Sequence, residues 1–293
     1  MIKQQKQAFP AKTPPIVLTF AASDPTGGAG IQADLMTLSA MGCHALSVLT
    51  ALTVQDTAGV DSILAIESDC VEDQARALLE DMPVAAFKIG LLGSMENIAV
   101  IAKIIADYPD VPLVLDPVLA SGRGDDLVDE DMIFAMRALL LPQTTLLTPN
   151  TLEARRLAIK EVEEGEGEGN TNKKDEASED EEDVPLVECA RRLLAFGCEY
   201  VLLTGTHDMT AQVVNTLYGK KGVVRSDTWE RLPGSYHGSG CTLASAAAAG
   251  LAKGLSVADA AREAQDYTWH ALAAGFRPGM GQYIPDRFFR TRG

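Results

Sequence analysis

The chain has 293 residues, 46% of them hydrophobic, with five cysteines and a formal net charge of −16. That length fits one large α/β domain, and no uninterrupted apolar run approaches the roughly 20 residues that a membrane-spanning helix needs. The acidic balance would repel phosphate backbones and no basic patch interleaves with aromatics, which excludes nucleic acid as a partner. The cysteines, at 43, 70, 189, 198 and 241, form no C-x-x-C pair, so a zinc site or disulfide framework is not expected and a reducing compartment, the cytoplasm, is.

Residues 1–15 lack a secretory h-region and read as a flexible N-terminus, ahead of a single domain over 16–293. The apolar run 16–20, Ile16-Val17-Leu18-Thr19-Phe20, is short enough for a buried strand. A glycine-rich turn, Asp24-Pro25-Thr26-Gly27-Gly28-Ala29-Gly30, separates it from a helical pattern over 32–41. This is a strand–turn–helix order suited to ligand binding, but it has neither a G-x-G-x-x-G fingerprint nor a Gly-Lys-Ser/Thr. Further strands are predicted at 47–52, 86–89, 113–115, 145–147, 200–203 and 211–218. Helical patterns at 70–81, 95–107, 130–141, 186–196, 242–253 and 257–274 separate most of them. Such alternation predicts βαβ units around a parallel sheet, with ligands beyond the carboxyl ends of the strands.

The charge is concentrated. Residues 161–183 hold twelve carboxylates against Lys173 and Lys174, a local charge of −10 that leaves −6 for the other 270 residues. With no aromatic and Val162 as its only large aliphatic, this stretch reads as a disordered acidic insertion within one domain.

A second glycine turn carries the chemistry. Gly234, Gly238 and Gly240 fall within seven residues, directly ahead of an Ala-rich helix. The turn lets backbone approach a ligand, and the helix start offers N–H donors and the positive end of its dipole. Cys241 sits there, where a thiolate is favoured. One reading is a proton-transfer centre beside a phosphoryl group; the other is a loop capping a buried helix, with Cys241 as a small core residue.

Six ordered blocks carry a resemblance: Ser23-Asp24-Pro25-Thr26-Gly27-Gly28-Ala29-Gly30-Ile31-Gln32-Ala33-Asp34, Thr50-Ala51-Leu52-Thr53-Val54-Gln55-Asp56-Thr57, Lys88-Ile89-Gly90-Leu91-Leu92-Gly93, Leu115-Asp116-Pro117-Val118, Thr148-Pro149-Asn150-Thr151-Leu152-Glu153-Ala154 and His237-Gly238-Ser239-Gly240-Cys241-Thr242. Together they resemble the hydroxymethylpyrimidine and phosphomethylpyrimidine kinases of thiamine biosynthesis, over residues 16 to about 260. The resemblance implies a ribokinase-like three-layer sandwich, a central, mostly parallel sheet with helices on both faces. It also implies ATP and Mg²⁺ as cofactors, a small pyrimidine as acceptor, and a homodimer.

By that resemblance Cys241 is the base, and the N–H groups of Gly238, Ser239, Gly240 and Cys241 hold the charge on the transferred group. Gln55, whose amide matches an aminopyrimidine edge, binds the substrate with Asp34, Gly30, Ala29 and Ala22. Asp34 also fits a first-turn carboxylate favoured by the helix dipole. Asp116, Asn150, Thr204 and Gly205 fall at the nucleotide, and Glu153 with Asp116 at the metal, reached through water. Asn150 and Glu153 equally fit a helix capping box. Ala22 stands where the family has Gly. Arg123 stands near the place of an absent lysine. Pyridoxal kinase and a non-catalytic pyrimidine- or vitamin-binding regulatory protein are the alternatives.

Overall fold

The computed structural model describes residues 13–121, 124, 126–159, 184–205 and 211–292. The acidic stretch 161–183, Arg123 and residues 1–12 lie outside that set. Strand parity decides the layering. In β1 (Ile16–Ser23), Ile16, Leu18 and Phe20 enter one buried cluster while Val17 enters another. In β4 (Ala86–Ile89), β5 (Leu113–Leu115), β6 (Leu146–Leu147) and β7 (Tyr200–Thr204) the same alternation holds. Phe87, Leu113, Leu115, Leu147 and Val201 face one side; Ala86, Val114, Leu146 and Leu202 face the other. Strands buried on both faces are the mark of a parallel sheet covered by helices.

Among the described residues the sheet has nine strands, in the order β3-β2-β1-β4-β5-β6-β7-β8-β9. β2 (His44–Gln55) through β7 run parallel, whereas β3 (Val60–Ala65), β8 (Gln212–Gly219) and β9 (Gly222–Glu230) are antiparallel to their neighbours. On the first face pack α2 (Ser68–Asp81), α3 (Met95–Ala106), α4 (Glu130–Ala135), α5 (Thr151–Ala158) and α6 (Leu186–Ala195). On the second pack α1 (Gly30–Ala40), α7 (Ser239–Ala252) and α8 (Val257–Ala273). This is the expected three-layer α/β sandwich.

Three details differ from the sequence reading. The edge strands β3 and β9 escape it because their large apolar residues point outward: Leu64 is 66% exposed and Val223 61%. The helix predicted over 130–141 ends as α-helix at Ala135 and continues as a π turn, Met136–Leu140, then a 3₁₀ turn, Leu141–Gln143. Pro142 has no N–H to extend an α-helical ladder. Finally, the first glycine turn ends one step earlier than expected, with Gly30 already the first residue of α1.

Candidate active site

The carboxyl ends of β1, β5, β6 and β7 deliver Asp24, Asp116, Asn150 and Thr204 to one edge of the sheet, and the N-terminus of α7 arrives at the same edge. The two glycine turns meet there directly. Gly238, the N-cap of α7, lies at φ +82°, and a Cβ on it would sit 1.8 Å from the Gly28 carbonyl oxygen. No other residue tolerates both that conformation and that contact. Asp24 fixes the first turn, accepting from Thr26 N–H at 2.8 Å, the Thr26 hydroxyl at 3.0 Å and Ala29 N–H at 2.6 Å. It joins the second turn through His237 Nε2 at 2.8 Å. Burial alone would raise the Asp24 carboxyl, but the His237 and Ala29 hydrogen bonds outweigh it and hold it below its ordinary value. Arg287, 2% exposed, closes the joint from the C-terminal segment: its Nε donates to Thr242 Oγ1 at 3.1 Å, and its terminal nitrogens to the Gly27 and Gly28 carbonyls.

Most of the freedom granted to the glycines is therefore spent on each other rather than on a ligand. Gly240 is the exception. It is exposed, and a Cβ there would only touch Asp116 Oδ1 at 3.5 Å, leaving an open approach along α7 to Asp116. Ser239 precedes it, and helix starts leave their first N–H groups without carbonyl partners.

Cys241 is half-buried among charges. The Asp116 carboxylate and the Gly30 N–H both act on its sulfur. The expected thiolate is not what this environment favours: burial first, then the Asp116 and Asp34 carboxylates, push the thiol up to about 12 against the opposing pull of Lys88. The helix end is outweighed by desolvation and two nearby carboxylates.

Asp34 is also corrected. It is fully buried, and its oxygens take Thr19 Oγ1 at 2.6 Å, Ser245 Oγ at 2.7 Å and Lys88 Nζ at 2.9 Å. It is an internal counter-charge with no oxygen left for a substrate. Ala22, 3% exposed, is likewise turned inward, and its carbonyl packs on Gly30, where a Cβ would approach to 2.4 Å. Ala29 spends its N–H on Asp24. Gly205 is buried with its N–H donated to Asn215 Oδ1 at 3.1 Å, and the Thr204 hydroxyl points to the Pro149 carbonyl. Both reach the right strand end, but their polar groups face protein.

Asn150 and Glu153 form the anticipated capping box: Asn150 Oδ1 accepts the Leu152 and Glu153 N–H groups, and Glu153 Oε2 accepts Asn150 N–H, all at 2.9 Å. Asn150 also bridges Thr204. Burial first and Asp116 second push the Glu153 carboxyl up to about 8. Burial raises Asp116 too, and its Oδ2 is buried with no hydrogen-bond partner. Two carboxylates that repel each other, one with an orphaned oxygen, suit a hard divalent cation. Among the described residues no group of three or more His, Cys, Asp or Glu side chains gathers into a metal cage.

Gln55 lines a groove of about 480 Å³ with Pro25, Thr26, Thr57 and Met280. Its Nε2 donates to Thr53 Oγ1 at 2.7 Å. Because Pro25 and Thr26 belong to the first glycine turn, the groove adjoins the joint between the turns. One wall comes from a C-terminal strap whose Gly281 N–H donates to Thr57 Oγ1 at 3.0 Å and whose Gln282 N–H donates to the Thr57 carbonyl at 2.8 Å. Sequence reasoning missed this strap, Arg287 and Lys88. Only Lys88 left a signal: a cation inside the otherwise apolar strand Ala86-Phe87-Lys88-Ile89.

A strand-end site beneath a helix N-terminus, on this sheet, defines a ribokinase-like kinase, and comparison with known proteins narrows the class. The family model for phosphomethylpyrimidine kinase matches residues 24–286. A hydroxymethylpyrimidine/phosphomethylpyrimidine kinase of Streptomyces coelicolor is 40% identical over 276 residues, covering 93% of this chain and 94% of the relative. A crystal structure of phosphomethylpyrimidine kinase from Clostridium difficile superposes with a TM-score of 0.70 at 32% identity, covering 88% of this chain and 99% of that one. Pyridoxal kinase from Staphylococcus aureus, in complex with AMP-PCP and pyridoxal, superposes at 0.80 with 27% identity and 96% coverage of both chains. The chain belongs to the phosphomethylpyrimidine kinase family.

Proposed function

We propose that the protein phosphorylates the hydroxymethyl group of 4-amino-5-hydroxymethyl-2-methylpyrimidine, its monophosphate, or both, using ATP and Mg²⁺, in thiamine diphosphate biosynthesis. The observation that carries this reading is the contact of Gly28 with Gly238, which puts the Gln55 groove and the Cys241 helix start at one strand edge. Gln55 pairs with the aminopyrimidine edge, offering a donor and an acceptor. The N–H groups of Ser239, Gly240 and Cys241 stabilise charge on the phosphoryl group in transit. Cys241, once its own proton has passed to solvent, takes the proton of the acceptor hydroxyl as a thiolate. A cation held by Asp116 would offset the carboxylate charge that opposes a thiolate at Cys241. Asp116 and Glu153 would hold Mg²⁺, which when bound offsets charge on the nucleotide phosphates. Asn150, beside Thr204, lies at the nucleotide side.

Pyridoxal is the second acceptor to weigh, because the pyridoxal kinase superposes at 0.80 against 0.70 for the phosphomethylpyrimidine kinase structure. An assay coupled to ADP release, run with both acceptors, tests the reading. The pyrimidine should be turned over faster; preference for pyridoxal reverses the assignment, and acceptor binding without ADP release makes the protein a non-catalytic binder. Cys241→Ser should lower kcat by about 10²–10⁴-fold with acceptor affinity held within about threefold.

The residues from 16 onward form one domain in this reading, supported by the continuous nine-stranded sheet. Five unpaired cysteines support a cytoplasmic location, and among the described residues no helix is long and apolar enough to cross a membrane. A homodimer is supported by Leu52, Val54 and Leu64, exposed at 43%, 61% and 66% on one face of the β2–β3 ribbon.

A further inference from the structure

Lys88 has no part in the reaction as described above, yet it is a fully buried cation in the middle of the sheet. Its neighbours Phe87 and Ile89 face α2 and α3, while Lys88 shares with Thr19, Ala86 and Asp116 the face covered by α1 and α7. Lys88 Nζ lies 2.9 Å from both oxygens of Asp34 and 4.0 Å from Asp116 Oδ2. Asp34 has hydrogen bonds without it, from Thr19 and Ser245. A buried ion pair is on average no more stabilising than well-packed apolar side chains, so stability alone does not account for this one. Space is kept around the ammonium: a Cβ on Gly90 would come within 2.8 Å of Nζ. The Asp116 oxygen nearest to it is the one without a hydrogen-bond partner.

We propose that Lys88 is a positioning residue for phosphoryl transfer: held by Asp34, its ammonium orients the free oxygen of Asp116 and supplies fixed positive charge beneath the point where Asp116, Cys241 and the α7 N-terminus converge. The inference rests on the kinase reading. Ser245 stands one helical turn beyond Cys241 and bonds the same Asp34, so one carboxylate ties the ammonium and the helix carrying the thiol into a single frame.

Two variants separate this role from that of a mere counter-ion. Lys88→Met leaves Asp34 as an uncompensated buried charge, whereas Lys88→Met combined with Asp34→Asn removes both charges at little change in volume. If Lys88 only neutralises Asp34, the double variant regains wild-type turnover along with wild-type melting. A positioning role predicts that it melts like the wild type but loses about 100-fold in kcat, with both KM values within about threefold. Turnover within about threefold of wild type in the double variant overturns the proposal. A measurement on the unmodified protein needs no variant to fold: with ¹⁵N-lysine, the buried ammonium resonance should shift when ADP, Mg²⁺ and aluminium fluoride are added together, and an unmoved resonance overturns the proposal as well. A wild-type protein that phosphorylates neither pyrimidine nor pyridoxal fails at the kinase reading instead, and takes this inference with it.

Discussion

On Glu153 the geometry of a helix cap meets that of the proposed cation site. One oxygen holds the Asn150 N–H while burial and Asp116 push the carboxyl from 4.5 to about 8. A folded-state value above the unfolded one means that its contribution to stability is complete below the unfolded value and is lost as pH rises through the folded one. The unliganded protein should therefore lose melting temperature between about pH 5 and about pH 9, and Glu153→Gln should flatten that slope in a pH series of thermal scans. Binding of the proposed cation would also displace the proton. Titration calorimetry with Mg²⁺ and ATP, in two buffers of different ionisation enthalpy near pH 7, should report release of roughly one proton, absent in Glu153→Gln. Cys241 gives a second residue-scale expectation. With its thiol pushed up to about 12 from 9.0, the thiolate fraction falls about a thousandfold at neutral pH. Iodoacetamide should label exposed Cys70 and spare Cys241, as read by peptide mass spectrometry; rapid labelling of Cys241 would contradict the charge environment described.

Helix α7 is positioned by contacts made before its first turn. Gly238 admits the Gly28 carbonyl, His237 reaches Asp24, and Arg287 reaches around both turns. Gly238→Ala would add a Cβ 1.8 Å from that carbonyl at a φ of +82°, and should cost on the order of 2 kcal/mol or more, visible as a lower denaturation midpoint together with lost turnover. The strap behaves as a separate element. A Cβ on Gly281 would stand 1.8 Å from the Thr57 carbonyl, so Gly281→Ala should lift the strap from the groove. Its signature in steady-state kinetics is a raised KM for the pyrimidine with the KM for ATP unchanged, since only the Gln55 side of the cleft is disturbed.

At the scale of the whole molecule, nine strands are covered by five helices on one face and three on the other, and both edges are closed by antiparallel strands among the described residues. The β2–β3 ribbon presents Leu52, Val54 and Leu64 together, and Leu64→Glu should shift a dimer toward monomer in sedimentation velocity while a monomeric wild type would leave the ribbon without that role. Six motif blocks at strand ends made the parallel core, and the end of the sheet where its polar loops gather, legible beforehand, because both faces of a parallel sheet must be apolar and its loops must carry the polar groups. The capping box was legible for the same local reason: Asn150 and Glu153 are neighbours along one helical turn. The edge strands were not, since their apolar residues point to solvent.

What the chain order alone determined was therefore local or periodic: strand parity, helix starts, and which residue types stand at each turn. Only the tertiary structure decided what those residues face. Asp34 finds Lys88 from 54 positions away and Ser245 from 211, and Gly238 finds Gly28 across the molecule. Side-chain charge states and steric contacts depend on distances of a few ångströms between segments remote in sequence, and no pattern of spacing along the chain encodes them.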